Sequence, residues 1–192
     1  MALTLKQKEK LFRNKERVGR VVISHVKKKG LILFGQKAVN KQLPKDLRKD
    51  TEDYDIFSNT PRKTAKRIER KLDRKFKGDY FFVKEAMHKG TYKVNSHVGN
   101  KGIADVSKPD RKVPTVKRQG VRLASLEFQK QQIKKSLDDP ESKFRHPKDK
   151  EVRSRIKIAE QRGKKRRKPT KGFSKNLRFK LNSFGVNPNT QL

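Results

Sequence analysis

The amino-acid sequence predicts an α/β (α+β) domain in which a small mixed sheet is flanked by helices. Two observations lead to this prediction. Short apolar runs next to glycine alternate with stretches whose apolar residues recur every three or four positions, in the order helix, strand, helix, strand, helix, strands, helices. The chain has 192 residues, of which 31% are hydrophobic and 39% charged, so the core must be compact.

Residues 1–30 predict a basic N-terminal helix that ends at Gly30. The apolar residues on one face of this helix are Leu11, Val18, Val22 and Val26. The run 31–34 is apolar and ends at Gly35, as expected for a buried strand. A short helix should follow and stop before Pro44, because proline cannot continue a helix.

Residues 53–57 alternate acidic and apolar side chains, which predicts a half-buried strand. Pro61 is suited to the first turn of the next helix, which should end at Gly78. Its apolar stripe consists of Ala65, Ile68, Leu72 and Phe76. Three strands are then predicted at 80–83, 91–94 and 102–107, a loop at 108–118, and two helices at 125–137 and 148–160. The predicted domains are therefore the N-terminal helix, residues 31–160, and a basic tail at 161–192.

The net charge of +34 predicts a polyanionic partner. Each lysine or arginine that neutralises a phosphate releases counterions, so nucleic acid is favoured over the alternative of a merely solvated surface. Two basic clusters are the expected contacts. They are Lys27, Lys28 and Lys29 in the first helix, and Lys164, Lys165, Arg166, Arg167 and Lys168 in the tail. In the tail, Phe173, Phe179 and Phe184 could stack on bases or dock onto a protein surface.

Other site classes are less favoured. The chain has no cysteine, which excludes disulfides and thiolate zinc sites. The four histidines are scattered, so solvent-facing or phosphate-contacting roles are favoured over a zinc site. No apolar run approaches the roughly 20 residues of a membrane span, so we expect a soluble, intracellular protein without a membrane partner.

Three aspartates form the candidate chemical site. Asp53 and Asp55 are two residues apart on one strand and should present their carboxylates on the same face, while Asp105 interrupts a later apolar strand. Carboxylates so close repel one another unless cations lie between them, and Mg²⁺ prefers hard oxygen ligands. Gly35 would let backbone N–H groups approach a triphosphate. The alternative is that Asp105 pairs with one of the many basic residues.

Several segments in order resemble the nucleotidyltransferase superfamily, and in detail the catalytic subunits of poly(A) polymerases of large DNA viruses. The resemblance covers roughly residues 30–160. The similar segments are 33–40 (LFGQKAVN), 53–58 (DYDIFS), the Pro61 helix, 88–94 (HKGTYKV), 103–107 (IADVS) and 120–149. The sequence departs from the family pattern at Gln36, where the family usually has glycine or serine.

The resemblance implies a nucleotidyltransferase (polymerase beta-like) fold that uses Mg²⁺ or Mn²⁺ and an NTP, with ATP the expected one. Asp53, Asp55 and Asp105 would be the metal-binding and catalytic carboxylates, and Gly35 and Gln36 would meet the triphosphate. Arg145, Lys148 and Asp149 would be scaffold or phosphate contacts. The resemblance also implies a partner protein that supplies primer binding, and a location in the cytoplasm, a viral factory or a virion.

Two functions are consistent with these residues. The first is an enzyme that adds NMP from an NTP to a hydroxyl acceptor, expected to be an RNA 3′ end. The second is a nucleotidyltransferase-fold protein that is catalytically weak or inactive and binds or packages nucleic acid, as a virion component would. The three aspartates favour the enzyme, because carboxylates facing a polyanion give a packaging protein nothing; the charge favours the second.

Overall fold

The structure is a computed structural model that describes residues 4, 15–99 and 101–167, with the side chains of 164–167 left out. Residues 1–159 form one compact unit and residues 160–192 a second. Leu11, Lys168 and the three tail phenylalanines Phe173, Phe179 and Phe184 lie outside the described residues, so the predictions made for them stay predictions.

The described helices and strands follow the predicted order. The α-helices are α1 (Lys15–Lys28), α2 (Gly35–Asn40), α3 (Pro61–Phe76), α4 (Leu126–Asp138) and α5 (His146–Arg167). The strands are β1 (Ile32–Phe34), β2 (Tyr54–Phe57), β3 (Phe81–Glu85), β4 (Tyr92–Ser96), β5 (Gly102–Ser107), β6 (Thr115–Arg118) and β7 (Val121–Ala124). Two 3₁₀ turns, Lys45–Leu47 and Pro140–Arg145, precede β2 and α5.

The strands form one mixed sheet in the order β3-β4-β5-β2-β1-β7-β6. Strand β2 pairs in parallel with β5 and antiparallel with β1, and β1 pairs in parallel with β7. The end of β1 therefore lies at the same edge of the sheet as the beginnings of β2 and β5. Gly35 and the aspartates lie at this edge. The mixed sheet flanked by helices confirms the predicted fold class.

Helices cover the two faces of the sheet differently. Helices α1 and α3 pack on one face, where Val22, Ile56 and Leu72 belong to the main hydrophobic core. On the other face, Phe34 and Phe57 stack with their ring centroids 3.8 Å apart and pack with Phe128 of α4. Because side chains alternate along a strand, Asp55 points to the face opposite its buried neighbour Ile56.

The prediction of a loop over residues 108–118 was wrong for its last four residues. Strand β6 pairs antiparallel with β7 across a tight turn in which Gln119 and Gly120 both have positive φ. This strand lies at the edge of the sheet and is largely exposed, so it carries lysine and arginine rather than an alternating apolar pattern. Its sequence therefore resembled that of a loop.

The last helix was predicted to end at residue 160, but α5 continues to Arg167. Lysine, arginine and glutamine are good helix formers, and the one interruption before Pro169 is Gly163. Among the described residues, no helix is both long enough and apolar enough to cross a membrane.

Candidate active site

Two of the three aspartates lie directly side by side. In the parallel pairing of β2 with β5, Asp55 is opposite Asp105, and both side chains point to the sheet face away from α1 and α3. Asp53 precedes β2 and accepts a hydrogen bond from the Thr51 hydroxyl at 2.9 Å. The fold thus brings together residues that are about 50 positions apart in the sequence.

The electrostatic environment of Asp55 includes the charges of both other aspartates. Burial, followed by repulsion from Asp53 and Asp105, raises the pKa of Asp55 from 3.8 to about 7. Lys148 and Arg145 oppose this rise but do not cancel it. An ionised Asp55 is therefore costly unless a further cation reaches it.

Gly35 lies in contact with the Asp55 carboxylate. It follows β1 with φ of +63°, and a Cβ atom built on it would be 1.9 Å from Asp55 Oδ2 and 2.6 Å from its Cγ. Any side chain at position 35 would therefore displace the carboxylate as well as strain the backbone. The absence of a side chain at Gly35 therefore allows the Asp55 carboxylate to lie against the end of β1.

Asp105 already has a cationic neighbour. In the antiparallel pairing of β4 with β5 it lies opposite Lys93, whose Nζ is 3.0 Å from Asp105 Oδ2. Within the described residues, no group of three histidine, cysteine, aspartate or glutamate side chains is arranged to hold a metal ion as the side chains stand. A metal ion bound by all three aspartates therefore requires side-chain movement, with Lys93 releasing Asp105.

Residues 20–143 match the family model of the poly(A) polymerase catalytic subunit. The chain belongs to this family. The assignment confirms the resemblance predicted from the sequence, and with it a nucleotidyltransferase ancestry. No curated protein matches the chain in a sequence comparison.

A viral enzyme of known structure supports the same fold. The Megavirus polyadenylate synthase aligns with a TM-score of 0.68 and 17% sequence identity, covering 77% of this chain and 32% of that protein. This chain therefore spans about a third of the length of the synthase. JHP933 from Helicobacter pylori aligns with a TM-score of 0.39 and 14% identity, covering 71% of this chain and 58% of the other.

Gln36, where this member of the poly(A) polymerase catalytic subunit family departs from the usual pattern, is largely buried at 9% relative exposure. Its Nε2 donates to Asn40 Oδ1 at 2.9 Å, and its Oε1 accepts from Arg155 Nη2 at 2.9 Å. The side chain is thus held by α2 and α5. A contact with the triphosphate at this position would come from the backbone rather than from the amide.

Besides Lys93, three basic residues lie near the carboxylates, and two of them were predicted from the sequence. Lys148 and Arg145 lie close enough to lower the pKa of Asp55, and Arg145 also approaches the buried Asp149 at 3.9 Å. Lys37 was not predicted. Its ammonium group lies 4.6 Å from the centre of the Tyr54 ring, donates to the Thr51 carbonyl, and interacts with Asp53. A lysine two residues after Gly35 on a short helix was the available signal.

A cavity of about 170 Å³ adjoins the start of β2. Its floor is apolar and includes Val18, Tyr54 and Ile103, and its rim carries the lysines Lys15, Lys37 and Lys101. Glu52 bridges two of the rim lysines, with Oε1 2.9 Å from Lys15 Nζ and Oε2 paired with Lys101. An apolar floor with a cationic rim suits a planar group that carries negative charge.

The predicted nucleic-acid contacts are not all near the carboxylates. Lys15, at the start of α1, pairs with Glu52 beside the site, whereas Lys27 and Lys28 end this 14-residue helix about 20 Å away. Lys29 follows them. For Lys164, Lys165, Arg166 and Arg167 the structure gives the helical backbone alone, and Lys168 lies outside the described residues. His25, expected at the surface, is buried at 1% relative exposure.

Proposed function

We propose that this chain is a metal-dependent nucleotidyltransferase that adds NMP from an NTP, ATP being the favoured one, to a hydroxyl acceptor, the 3′ end of RNA. The observation that carries the proposal is the side-by-side placement of Asp55 and Asp105 in a member of the poly(A) polymerase catalytic subunit family. Asp53 lies close enough to raise the pKa of Asp55. A buried carboxylate that two neighbouring aspartates repel costs folding free energy, so a structural role explains Asp55 poorly.

The three aspartates have the type of side chain that binds divalent metal ions. Asp53, Asp55 and Asp105 offer hard carboxylate oxygens of the kind that Mg²⁺ and Mn²⁺ prefer. Burial and the charges of Asp53 and Asp105 raise the pKa of Asp55, and a bound cation would counter that rise. Such ions, when bound, would activate the acceptor hydroxyl and stabilise the leaving pyrophosphate. In the metal-free protein, Lys93 forms an ion pair with Asp105, and its positive charge would reduce the repulsion between the carboxylates.

The chain's own residues would then position the two substrates. Backbone N–H groups of Gly35 and Gln36, at the start of α2, would meet the triphosphate, with the Asp55 carboxylate in the space that a Cβ atom on Gly35 would fill. Lys37, Arg145 and Lys148 would neutralise phosphate charge around Asp55. The remaining positive charge of the chain would attract the RNA strand and raise its local concentration.

The partners follow from the same proposal. An RNA acceptor is favoured over DNA because a polyadenylate synthase is the structural neighbour. From the sequence resemblance alone, we propose that a partner protein supplies further primer binding. A viral factory or virion location is consistent with a neighbour from Megavirus.

A second function is favoured by two contacts. Lys93 is paired with Asp105, and Gln36 is bonded to Arg155 where the family usually has a small residue. If neither contact yields to substrate, the chain would be an inactive nucleotidyltransferase-fold protein that binds or packages nucleic acid.

A primer-extension assay separates the two functions. Purified protein is incubated with Mg²⁺ or Mn²⁺, each labelled NTP and an RNA primer, alongside the double variant Asp53→Ala, Asp55→Ala. Incorporation that is lost in the double variant supports transfer, and the preferred NTP identifies the donor. Salt-sensitive RNA binding by both proteins, with no incorporation on RNA or DNA primers, supports the packaging function instead.

A further inference from the structure

Helices α1 and α3 pack side by side and run in opposite directions. Near one end of the pair, the Arg17 guanidinium lies 5.5 Å from the centre of the Phe76 ring. Near the other end, burial and then the positive charges of Lys71, Lys29 and Arg67 lower the pKa of His25 to about 4. The two helices therefore present one common outer surface, on the sheet face opposite the carboxylates.

This outer surface carries a dense group of cations that the proposed reaction does not use. We call it the basic helical face, and it consists of Lys28, Lys29, Arg62, Lys63, Lys66, Arg67, Arg70, Lys71 and Arg74. Five of these residues line a shallow groove along the first half of α3: Arg62, Lys63, Lys66, Arg67 and Arg70. A groove lined by basic residues is suited to an anionic chain.

The positive charges of this face are poorly compensated. Among the described residues, Lys66 alone of the nine has a carboxylate partner, Glu69, at 3.1 Å. Burial lowers the pKa of Lys71, and repulsion from Lys28, Arg74 and Lys29 lowers it further. Like charges held this close destabilise the folded chain, so their retention is explained best by a ligand that neutralises them.

We infer that the basic helical face is a second nucleic-acid site, which holds the sugar-phosphate backbone of a single strand at a distance from the carboxylates. Helix α3 has 16 residues and is about 24 Å long, so the basic helical face as a whole can follow several consecutive phosphates. The inference concerns binding alone and is independent of whether the chain transfers nucleotides.

A membrane surface is the main alternative partner for such a face. A helix that lies on a membrane inserts apolar side chains beside its lysines. The large hydrophobic residues that are exposed in the described part of the chain are Met87, Val116, Phe144 and Ile158, and they lie on neither α1 nor α3. Because the basic helical face has no exposed large apolar side chains beside its charges in the described residues, a polynucleotide is favoured over a membrane as its partner.

The test is a quadruple variant, Lys28→Gln, Arg67→Gln, Lys71→Gln and Arg74→Gln, with a control of equal charge. The control changes four exposed lysines outside the two helices, Lys108, Lys112, Lys134 and Lys157, to glutamine. Binding of a labelled 30-nucleotide RNA, the same DNA sequence and phosphatidylserine vesicles is measured at several salt concentrations, in EDTA to exclude any contribution from metal ions. Thermal unfolding checks that each variant folds.

We expect the quadruple variant to bind RNA at least about 10-fold more weakly at low salt. The slope of log K against log salt concentration should be shallower by up to about 3, because each phosphate contact on a single strand contributes about 0.7. We expect the control to lose less than about threefold affinity, and the quadruple variant to unfold at a temperature no lower than the wild type, because repulsion is relieved. Equal weakening of both variants, or loss of vesicle binding with RNA and DNA binding retained, would overturn the inference. A loss for RNA alone would identify RNA as the ligand.

Discussion

The Oδ2 atom of Asp55 lies 1.9 Å from the point that a Cβ atom on Gly35 would occupy. A methyl group at position 35 must therefore push the carboxylate away or move the end of β1. We expect Gly35→Ala to lower nucleotide incorporation about 100-fold, as displacement of a reacting group by about 1 Å does. The strained backbone should also cost about 1–2 kcal/mol of unfolding free energy.

Gly30→Ala is the matched control for this prediction. Gly30 has φ of +61°, against +63° for Gly35, but a Cβ atom there would meet nothing within 4 Å. The control should show the backbone cost alone, with incorporation near that of the wild type. If both alanine variants lost activity equally, the contact between Gly35 and Asp55 would have no special role.

Asp55→Asn should stabilise the metal-free protein above pH 7. The pKa of Asp55 is raised in the folded state, so the folded chain holds a proton that the unfolded chain releases near pH 3.8, and stability falls as pH rises from about 4 to about 7. Asparagine removes that loss, which corresponds to at most about 4 kcal/mol. Denaturant unfolding in EDTA at pH 5 and pH 8 measures it, with exposed Asp79→Asn as the control. A variant that is less stable than the wild type at pH 8 would contradict this electrostatic account.

Lys93→Met should strengthen metal binding. Lys93 pairs with Asp105 at 3.0 Å and so competes with a metal ion for that carboxylate. We expect the Kd for Mn²⁺ in the presence of ATP to fall severalfold, because the metal ion no longer has to displace the Lys93 ammonium group from Asp105. Lys84→Met is the control, since Lys84 is the exposed cross-strand neighbour of Lys93. Weaker Mn²⁺ binding by Lys93→Met would mean that the lysine organises the site instead of blocking it.

His25→Leu should remove an acid-sensitive part of the stability. Burial, followed by the charges of Lys71, Lys29 and Arg67, lowers the pKa of His25 from 6.5 to about 4. The stability linked to a neutral His25 is fully present above pH 6.5 and is lost as pH falls toward 4, by at most about 3 kcal/mol. Unfolding curves of the Asp55→Asn protein with and without His25→Leu isolate this effect, because Asp55 titrates with the opposite sign. An equal loss of stability on acidification in both proteins would count against it.

The sequence predicted those parts of the fold whose side-chain pattern reflects burial. The apolar stripe of α3 faces the core, so its period is visible, and β5 is found at the predicted residues 102–107. Strand β6 was missed because an exposed edge strand needs no apolar alternation. The extension of α5 to Arg167 was missed because a run of basic residues resembles a tail.

The site was predicted as far as spacing allows. The spacing of Asp53 and Asp55 predicted that both lie on one strand, although Asp53 lies just before β2. The sequence alone does not place Asp105 next to Asp55, because that contact depends on the pairing of β2 with β5. The contacts of Lys93 with Asp105 and of Arg155 with Gln36 depend on register and on helix packing. The sequence left open that Asp105 pairs with a basic residue, but no local pattern in it identifies Lys93 as that residue or Arg155 as the partner of Gln36.

The most direct test of the proposed metal site is Mn²⁺ binding in the presence of a non-hydrolysable ATP analogue, measured by electron paramagnetic resonance on the wild type and on Asp105→Asn. The account predicts saturable Mn²⁺ binding that depends on the analogue, and a loss of at least one ion or about 10-fold in affinity in the variant. Mn²⁺ binding that is unchanged by Asp105→Asn, or that is absent from the wild type, would contradict the claim that the three aspartates together hold divalent ions.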